Sequence, residues 1–336
     1  CACSSDVVRE SSEFLKQKDA LPWFSRCRIY DINGQEAVLF PTDDGFATID
    51  TETKKVDTIY DKLYAGISEF CYNSDNETIW AQLENRNLNI WNSKTCTETA
   101  CPPTKHQGEF VKWFGFGAYD PFFSFGNILY TGINPSSDSD VNFADFRAKS
   151  GLIAAWDISN PDSVRCVKIF GKRPSDQPKD MFIDDCYQTA FNVEDSIIVA
   201  GTELSQNVVV MTMSGKTLRE KKLSSKFYVK PQKKDFSQNH SAKDKMQYWE
   251  ENMLFRGLFY DKYRKLYYRI LQLPKQEDKS SFTKRKQDWV FIVADSKLNK
   301  KYELKFDGDK YRWAILIGKQ GVYVLKDKTM DLFVFD

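Results

Sequence analysis

The sequence has little histidine, no long apolar run and no excess of either charge, and each of these shortages argues against one class of function. The two histidines, His106 and His240, do not belong to a metal-binding spacing such as His-x-x-x-His with a glutamate. No run of about 20 apolar residues is present, which argues against a membrane-spanning helix. The 48 basic residues nearly balance the 47 acidic ones, so the total charge gives no reason to expect nucleic acid as a partner.

The linear motifs of common active sites are also missing. No Gly-x-Ser-x-Gly sequence indicates a serine hydrolase. Asp138, Asp140 and Asn142 have the spacing that begins a calcium loop, but Phe143 and Lys149 stand where such a loop requires glycine and glutamate. We therefore expect neither a metal nor a cofactor.

What the chain does contain is a recurring pattern of short β-rich runs. Residues 28–60 hold four such runs joined by tight turns, and Asn33-Gly34 between the first two is a strong hairpin signal. Five units of this kind and a shorter last one predict an all-β fold, namely a six-bladed β-propeller of four-stranded antiparallel blades. A two-domain β-sandwich has similar strand spacing and is the alternative.

The last unit, residues 313–335, contains only three predicted strands. An N-terminal strand, either at residues 6–9 or later and before Trp23, would complete this blade, close the ring and remove its open edges. We expect residues 1–10 to form a tether and possible closing strand, and residues 11–336 to form a single propeller domain. Insertions at 133–150 and 224–252 interrupt the pattern, and residues 241–251 of the second have helical character.

The chain begins Cys1-Ala2-Cys3-Ser4-Ser5-Asp6, which is the pattern left when a lipoprotein signal is cut before the acylated cysteine. This pattern predicts lipid attachment at Cys1, with Cys3 as an alternative site. The other interpretation is that the sequence starts at a cysteine by coincidence. We expect a protein of the bacterial envelope, lipid-anchored in the outer membrane and facing the periplasm or the cell surface, with no membrane contact beyond the lipid.

The remaining cysteines have no Cys-x-x-Cys spacing that would indicate a zinc site. Cys71 and Cys166 lie in apolar strand patterns, so we expect buried free thiols at both positions. Cys96 and Cys101 are close enough in sequence to close a small disulfide loop, and the spacing leaves that pairing open.

Two segments carry a resemblance to a known family. Residues 258–269, which read LFYDKYRKLYYR, resemble a recurring D-x-Y-R-x-x-Y-Y-R stretch, and residues 46–56 resemble the opening meander of the same family. The family comprises six-bladed, TolB-like propeller lipoproteins of Gram-negative gut anaerobes, grouped as the domain of unknown function four-two-two-one. The resemblance implies the fold and the envelope location, and it implies no activity and no functional residues.

Within this motif, Asp261 and Arg264 lie at a turn between two strands, where we expect them to form an ion pair at a blade corner. Strand alternation then places Tyr267 and Arg269 on one face of the next strand and Tyr268 on the other. Packing within the blades is the simplest role for Tyr268 and Arg269, and contact with a ligand is the alternative.

The most aromatic stretch of the chain, residues 112–123, could form a platform for stacking sugar rings beside a carboxylate. The competing interpretation is that these rings fill the wedge between blades. The candidate ligand-binding residues are His106, Trp113, Tyr119, Asp120, Tyr268 and Arg269.

Taken together, these features favour a non-enzymatic binding or protein-interaction module. We expect a monomer whose partner is an envelope protein or a glycan, and not nucleic acid. The alternative is a carbohydrate-active enzyme, a glycoside hydrolase or lyase, with its site in the central channel of the propeller, because propeller sites assemble from separate blades and leave no linear motif.

Overall fold

The structure, a computed structural model, is almost entirely β-strand, with one α-helix among the residues that it describes. The described residues are 8–12, 27–42, 45–53, 55–61, 67–83, 88–91, 96–99, 104–106, 109–113, 122–135, 151–178, 187–232, 242–275, 287–326 and 329–335.

The strands form six antiparallel sheets, numbered in chain order. Sheet 1 contains β2 (Arg28–Ile32), β3 (Gln35–Thr42), β4 (Gly45–Asp50) and β5 (Val56–Asp61). Sheet 2 contains β6 (Ile67–Asn73), β7 (Thr78–Leu83), β8 (Leu88–Trp91) and β9 (Cys96–Thr99). Sheet 3 contains β10 (Thr104–His106), β11 (Glu109–Trp113), β12 (Phe122–Phe125), β13 (Ile128–Pro135), β14 (Ile153–Asp157) and β15 (Arg165–Phe170).

The remaining sheets follow the same order. Sheet 4 contains β16 (Tyr187–Asn192), β17 (Ile197–Thr202), β18 (Asn207–Thr212) and β19 (Thr217–Lys222). Sheet 5 contains β20 (Leu254–Asp261), β21 (Leu266–Gln272), β22 (Trp289–Ala294) and β23 (Lys300–Phe306). Sheet 6 contains β24 (Ile315–Ile317), β25 (Val322–Lys326), β26 (Thr329–Val334) and the N-terminal strand β1 (Val8–Ser12).

The fold is an all-β propeller of antiparallel four-stranded blades, as the spacing of the β-rich runs predicts. The structure describes five four-stranded blades, and sheet 3 has six strands instead of four. In sheet 3, β12 pairs with residues 128–131 of β13, while β11 pairs with the far end of β13, at Ile133–Pro135.

Hydrophobic side chains fill the space between successive sheets and account for the arrangement of the blades. Separate buried clusters join sheets 1 and 2, 2 and 3, 3 and 4, 4 and 5, and 5 and 6, and another joins sheet 6 back to sheet 1. Strands β21 and β22 are buried at every position, so both faces of sheet 5 are covered. Burial of both faces explains why β22, which reads WVFIVA, is uniformly apolar instead of alternating.

The N-terminal strand closes the series of blades. Sheet 6 supplies only three strands from the C-terminal part of the chain, and β1 pairs with β26 through five residue partners, from Val8 opposite Val334 to Ser12 opposite Met330. The predicted pairing of an N-terminal strand with the last blade is therefore seen, at residues 8–12. Pairing covers an edge of β26 that would otherwise be open.

Local sequence signals account for several details. Asn33 and Gly34 have positive φ angles, 55° and 81°, and form the predicted two-residue hairpin between β2 and β3. The predicted helix is present as α1 (Ala242–Glu251), and it packs through Tyr248 against Leu204 and Leu254. Of the two predicted insertions, residues 133–135 belong to β13, whereas 136–150 and 233–241 lie outside the described residues.

The cysteine predictions have separate outcomes. Cys71 is buried and free, as predicted. Cys166 is only half-buried, in contrast to the prediction, because its strand β15 lies at the outer edge of sheet 3. The side chains of Cys96 and Cys101 lie outside the described part of the structure.

Membrane-spanning segments were searched for among the described residues. None of the helices found there has the length and apolar character needed to cross a bilayer.

The closing strand leads to a prediction about stability. Deleting residues 1–12 removes the pairing of β1 with β26, and each lost backbone hydrogen bond costs about 1 kcal/mol. We expect the free energy of unfolding, measured by chemical denaturation, to fall by several times that amount. Deleting only residues 1–7 keeps β1 and serves as the control. Equal stability of the two truncated proteins would contradict the role of β1 in closure.

Candidate functional site at the centre of the propeller

A cavity of about 510 Å³ lies where one strand from each of the six sheets meets the others. These strands are β2, β6, β12, β16, β20 and β24. Its walls come from β2, β12 and β24, from the ends of β6, β16 and β20, and from the turns that follow the last three. The volume lies within the range of about 300–1,000 Å³ that small-molecule sites occupy. The cavity is therefore the central channel of the propeller, at the end where each first strand turns back into its second.

Aromatic rings make up much of the wall, and they come from five of the six sheets. Sheet 6 contributes aliphatic residues, including Ile315 and Leu316. Phe125 is 43% exposed, which is high for a large apolar side chain. The aromatic lining residues are Tyr30, Tyr72, Phe123, Phe125, Phe191, Phe259, Tyr260 and Tyr263.

The tyrosines add hydroxyl groups to this apolar wall. Burial raises the pKa of Tyr260 to about 12, and the nearby carboxylate of Glu194 adds to the shift. Burial also raises the pKa of Tyr72 above its ordinary value. The side chains of Tyr72 and Tyr260 make no hydrogen bond to another described residue, so their protonated hydroxyls can donate hydrogen bonds to a ligand at neutral pH.

Five charged residues also line the cavity, and the three acidic ones are held by neighbouring turns. Asp75 accepts a hydrogen bond from the backbone N–H of Gly126 at 2.8 Å. Asp31 lies 3.8 Å from the ammonium group of Lys319, and Glu194 lies 3.7 Å from that of Lys265. The two basic lining residues are Arg28 and Lys262.

Contacts between neighbouring sheets surround the cavity. The charged contacts described above connect sheets 2 and 3, 4 and 5, and 6 and 1, and Arg264 donates to the carbonyl of Gly318 at 2.7 Å between sheets 5 and 6. Ring contacts connect the other two pairs, Tyr30 with Tyr72 and Phe123 with Phe191. The cavity is thus built on a rigid frame, which lowers the conformational cost of binding.

A short sequence pattern positions several of the rings, although it was not recognised from the sequence. In four sheets the last three residues of a cavity-lining strand include an aromatic residue followed by Asp or Asn: Tyr30-Asp31, Tyr72-Asn73, Phe191-Asn192 and Tyr260-Asp261. In sheets 2, 4 and 5 the Asp or Asn side chain accepts backbone N–H groups of the following turn. The aromatic residue beside it lines the cavity.

Arg269, one of the predicted ligand contacts, is fully buried between sheets 4 and 5. Its guanidinium donates hydrogen bonds to four backbone carbonyls of sheet 4 and its loops, and it lies 3.5 Å from the ring centre of Phe255. Burial lowers the pKa of Arg269 to about 9, which still leaves it charged at neutral pH. The four carbonyls belong to Thr202, Ser205, Gln206 and Leu223.

Tyr268, the second predicted contact in this motif, is buried on the opposite face of β21. Its hydroxyl donates to Asp261 at 2.7 Å, and Asp261 also accepts from the Nε of Arg264 at 2.6 Å. The expected corner ion pair and the alternation of side chains along β21 are therefore both present. Tyr268 and Arg269 have no exposed surface, so the structure gives them packing and hydrogen-bonding roles and does not bring them together in an open site.

The other predicted site residues cannot be placed at the cavity. The backbones of His106 and Trp113 belong to β10 and β11, and their side chains are outside the described part of the structure, as are Tyr119, Asp120 and Cys1. Among the described residues, no three His, Cys, Asp or Glu side chains are grouped as metal ligands.

Comparison with solved structures shows that the fold has relatives. The structure is similar to a member of the duf4221 family from Bacteroides vulgatus, with a TM-score of 0.75 and 17% identity over 98% of each chain. At this identity the likeness shows the fold alone. It agrees with the resemblance seen in residues 258–269.

Two further solved structures are similar at lower TM-scores. A luciferin-regenerating enzyme has a TM-score of 0.47 and 9% identity over 98% of this chain and 95% of its own. The β-propeller domain of Cps50 (Swd1) from Myceliophteria thermophila has a TM-score of 0.42 and 8% identity over 95% and 99%. No protein-family model matches the chain, and no curated protein matches its sequence.

The carbonyls bound by Arg269 lead to a prediction about stability. In Arg269→Lys the ammonium group cannot reach all four carbonyls, and each buried carbonyl left unsatisfied costs about 1–3 kcal/mol. We expect the free energy of unfolding to fall by about 3–5 kcal/mol. Arg219→Lys, at an exposed position of β19, is the matched control and should change stability by less than about 0.5 kcal/mol. Equal effects of the two substitutions in chemical denaturation would rule out the proposed role of Arg269.

Proposed function

We propose that the protein is a non-enzymatic binding propeller whose central cavity holds a ligand. The observation that carries this proposal is the cavity itself, in which aromatic rings from five sheets and two unengaged tyrosine hydroxyls surround a single space. A mostly apolar, pre-formed pocket with a few convergent polar groups is the usual form of a ligand site.

A glycan is the ligand class that this lining suits best. The exposed ring of Phe125 offers a flat apolar surface for one face of a sugar ring, and the hydroxyls of Tyr72 and Tyr260 offer donors for sugar oxygens. Phe123, one residue of the stretch 112–123 that was predicted to form a sugar-stacking platform, lines the cavity and supports this ligand class. An envelope protein that inserts an aromatic or aliphatic side chain is the second class of ligand.

A carbohydrate-active enzyme is the competing function, and three carboxylates line the cavity. Glycosidases use two carboxyl groups that flank the bond to be cleaved and are free to exchange protons with it. Here Asp75 accepts a backbone N–H, and Asp31 and Glu194 are close to lysines of neighbouring turns. These engagements favour binding over catalysis.

The same proposal includes six blades. In sheet 3, β12 pairs with β13 and contacts β6 of the preceding sheet, which is the place of a first strand in the other blades. The strands β12 to β15 then form a sixth four-stranded blade, and β10 and β11 form a hairpin added at one end of it. The hydrophobic cluster between sheets 6 and 1 supports the closed ring.

We further propose that the chain is a divergent member of the domain of unknown function family four-two-two-one and an envelope lipoprotein. The structural likeness over 98% of both chains and the motif at residues 258–269 support the family. The sequence Cys1-Ala2-Cys3-Ser4-Ser5 supports lipid attachment at Cys1.

The glycan proposal is tested by thermal shift with neutral glucan, mannan and galactan oligosaccharides and their acidic counterparts. A ligand present at a free concentration of about 100 times its Kd adds about 2.7 kcal/mol to the free energy of unfolding. The midpoint of thermal unfolding should therefore rise with at least one of these oligosaccharides. Phe125→Ala and Tyr260→Phe should each weaken that binding by about tenfold, or about 1.4 kcal/mol.

Val229→Ala is the control for Phe125→Ala, because Val229 is 65% exposed and does not line the cavity. It should leave binding unchanged. If no oligosaccharide shifts the unfolding midpoint, the glycan proposal is wrong. If a bound oligosaccharide is cleaved into new reducing ends, the enzymatic function replaces the binding one.

The lipid anchor is tested separately by expressing the full-length gene product in a Gram-negative host. We expect Cys1→Ala to move the protein from the membrane fraction to the soluble periplasmic fraction, because the substitution removes the cysteine to which we assign the acyl chains. Cys3→Ala is the control and should leave the protein in the membrane fraction. The reverse result would place the lipid on Cys3.

A further inference from the structure

The outer strands of the sheets differ in charge from one side of the propeller to the other. In each sheet the strand that lines the cavity lies at one side, so the strand at the opposite edge of the sheet forms the outer edge. Strands β15, β19 and β23, in sheets 3 to 5, contain eight basic and two acidic residues. The outer strands of the other three sheets, β5, β9 and β1, contain one basic and four acidic residues.

The basic strands belong to one continuous surface, which we term the basic rim. Lys168 of β15 donates to the backbone carbonyl of Ser214, in the turn before β19, at 2.5 Å. Lys221 of β19 donates to the side chain of Asn299, just before β23, at 2.8 Å. These contacts bring the outer edges of sheets 3, 4 and 5 side by side.

The two acidic residues of the basic rim are engaged by neighbouring side chains. Glu303 lies 3.4 Å from Lys300 and 3.8 Å from Lys226. Glu220 accepts hydrogen bonds from Asn207 and Ser175, and these hydrogen bonds lower its pKa against the opposing effect of burial. The exposed cations Lys216, Arg219 and Lys222 form no ion pair with a described residue, so the rim keeps a net positive charge.

Exposed aliphatic side chains lie among these cations. Val167, which precedes Lys168, and Leu218, which precedes Arg219, are each 49% exposed. Isolated exposed apolar residues are normal on a protein surface. Here two of them occupy adjacent outer strands of the basic rim, and an interface needs this combination of apolar and charged groups.

We propose that the basic rim, centred on β15 and β19, binds an acidic protein segment that also carries aliphatic side chains. Glutamate or aspartate residues of the partner would pair with Lys216, Arg219 and Lys222, and its aliphatic residues would cover Val167 and Leu218. Complementary charge of this kind speeds association and selects the partner.

A competing explanation for the basic residues is that lysine on an edge strand prevents the strand from pairing with other chains. That explanation predicts basic residues on the outer strand of every sheet. Among the described outer strands, basic residues predominate in β15, β19 and β23, whereas β5 and β9 carry acidic residues and no basic ones. A soluble polysaccharide would use the cations but has no aliphatic groups for Val167 and Leu218. A protein segment uses both, which is why we assign the rim to a protein.

The proposal is tested by fluorescence anisotropy with two labelled acidic peptides, one of glutamate and glycine and one in which leucine replaces the glycine, and with alginate as an acidic polysaccharide. The leucine-containing peptide should bind most tightly, and its binding should weaken as salt is raised, because ions screen charge over about 10 Å at 0.1 M. Lys216→Glu/Lys222→Glu should reduce its affinity at least about tenfold.

Lys55→Glu/Lys310→Glu changes the net charge by the same amount outside the basic rim and should leave the affinity within about twofold. Leu218→Ser should remove the preference for leucine over glycine. Equal losses in the two double variants would overturn the proposal, because they would show an effect of total charge. Tighter binding of alginate, with no effect of Leu218→Ser, would assign the rim to a polysaccharide and would also overturn it. Glycan binding in the cavity is measured independently, so either proposal can fail alone.

Discussion

Each sheet of this protein buries both of its faces, and the rest of the structure depends on that constraint. A sheet covered on both sides needs two neighbours, and a closed series is the arrangement that gives every sheet two. The hydrophobic clusters between successive sheets, including the cluster between sheets 6 and 1, meet this requirement. Closure leaves a space at the centre, since the first strands converge but cannot all touch, and the cavity forms there.

Adjacent residues of one strand have two roles at the cavity. One residue contacts the neighbouring sheet or the following turn, and the next lines the cavity. Asp261 holds the turn after β20 and accepts from Arg264, which in turn binds sheet 6, while the adjacent Tyr260 faces the cavity. The turn residues therefore position the rings directly. Arg269 has a similar structural role in the body of the propeller, where its guanidinium connects β21 of sheet 5 to the loops of sheet 4. Such buried hydrogen bonds stabilise one particular packing of two blades.

Two surfaces on this scaffold are suited to different partners. The cavity is small, largely aromatic and lined by residues of all six sheets, and we propose a compact ligand such as a glycan for it. The basic rim is exposed and positively charged, and the partner that we propose for it is an extended acidic chain. The cavity faces the channel and the rim faces outward, so the two surfaces do not compete, and one protein could hold a glycan and a protein partner together.

The sequence by itself determined the class of fold, the closing role of an N-terminal strand, the Asn33-Gly34 hairpin and the helix at residues 242–251. These features depend on neighbouring residues or on short-range periodicity, which a linear reading can detect. It also placed Asp261 and Arg264 at a corner, because they are only three positions apart in the sequence. Tyr268 and Arg269 were harder to interpret, since a polar residue on a strand can face a ligand or a neighbouring blade, and their burial is visible only once sheets 4 to 6 are in place.

Only the tertiary structure decided which residues share the cavity. Tyr30, Tyr72, Phe125, Phe191 and Tyr260 come from five sheets and are spread over more than 200 residues, so no local pattern shows that they meet. The structure also decided that β12 pairs with the first half of β13 in sheet 3. The physical reason is the same in both cases. Strand pairing and the burial of both sheet faces are properties of the assembled ring, and an isolated segment has neither a partner strand nor a second sheet to select its position.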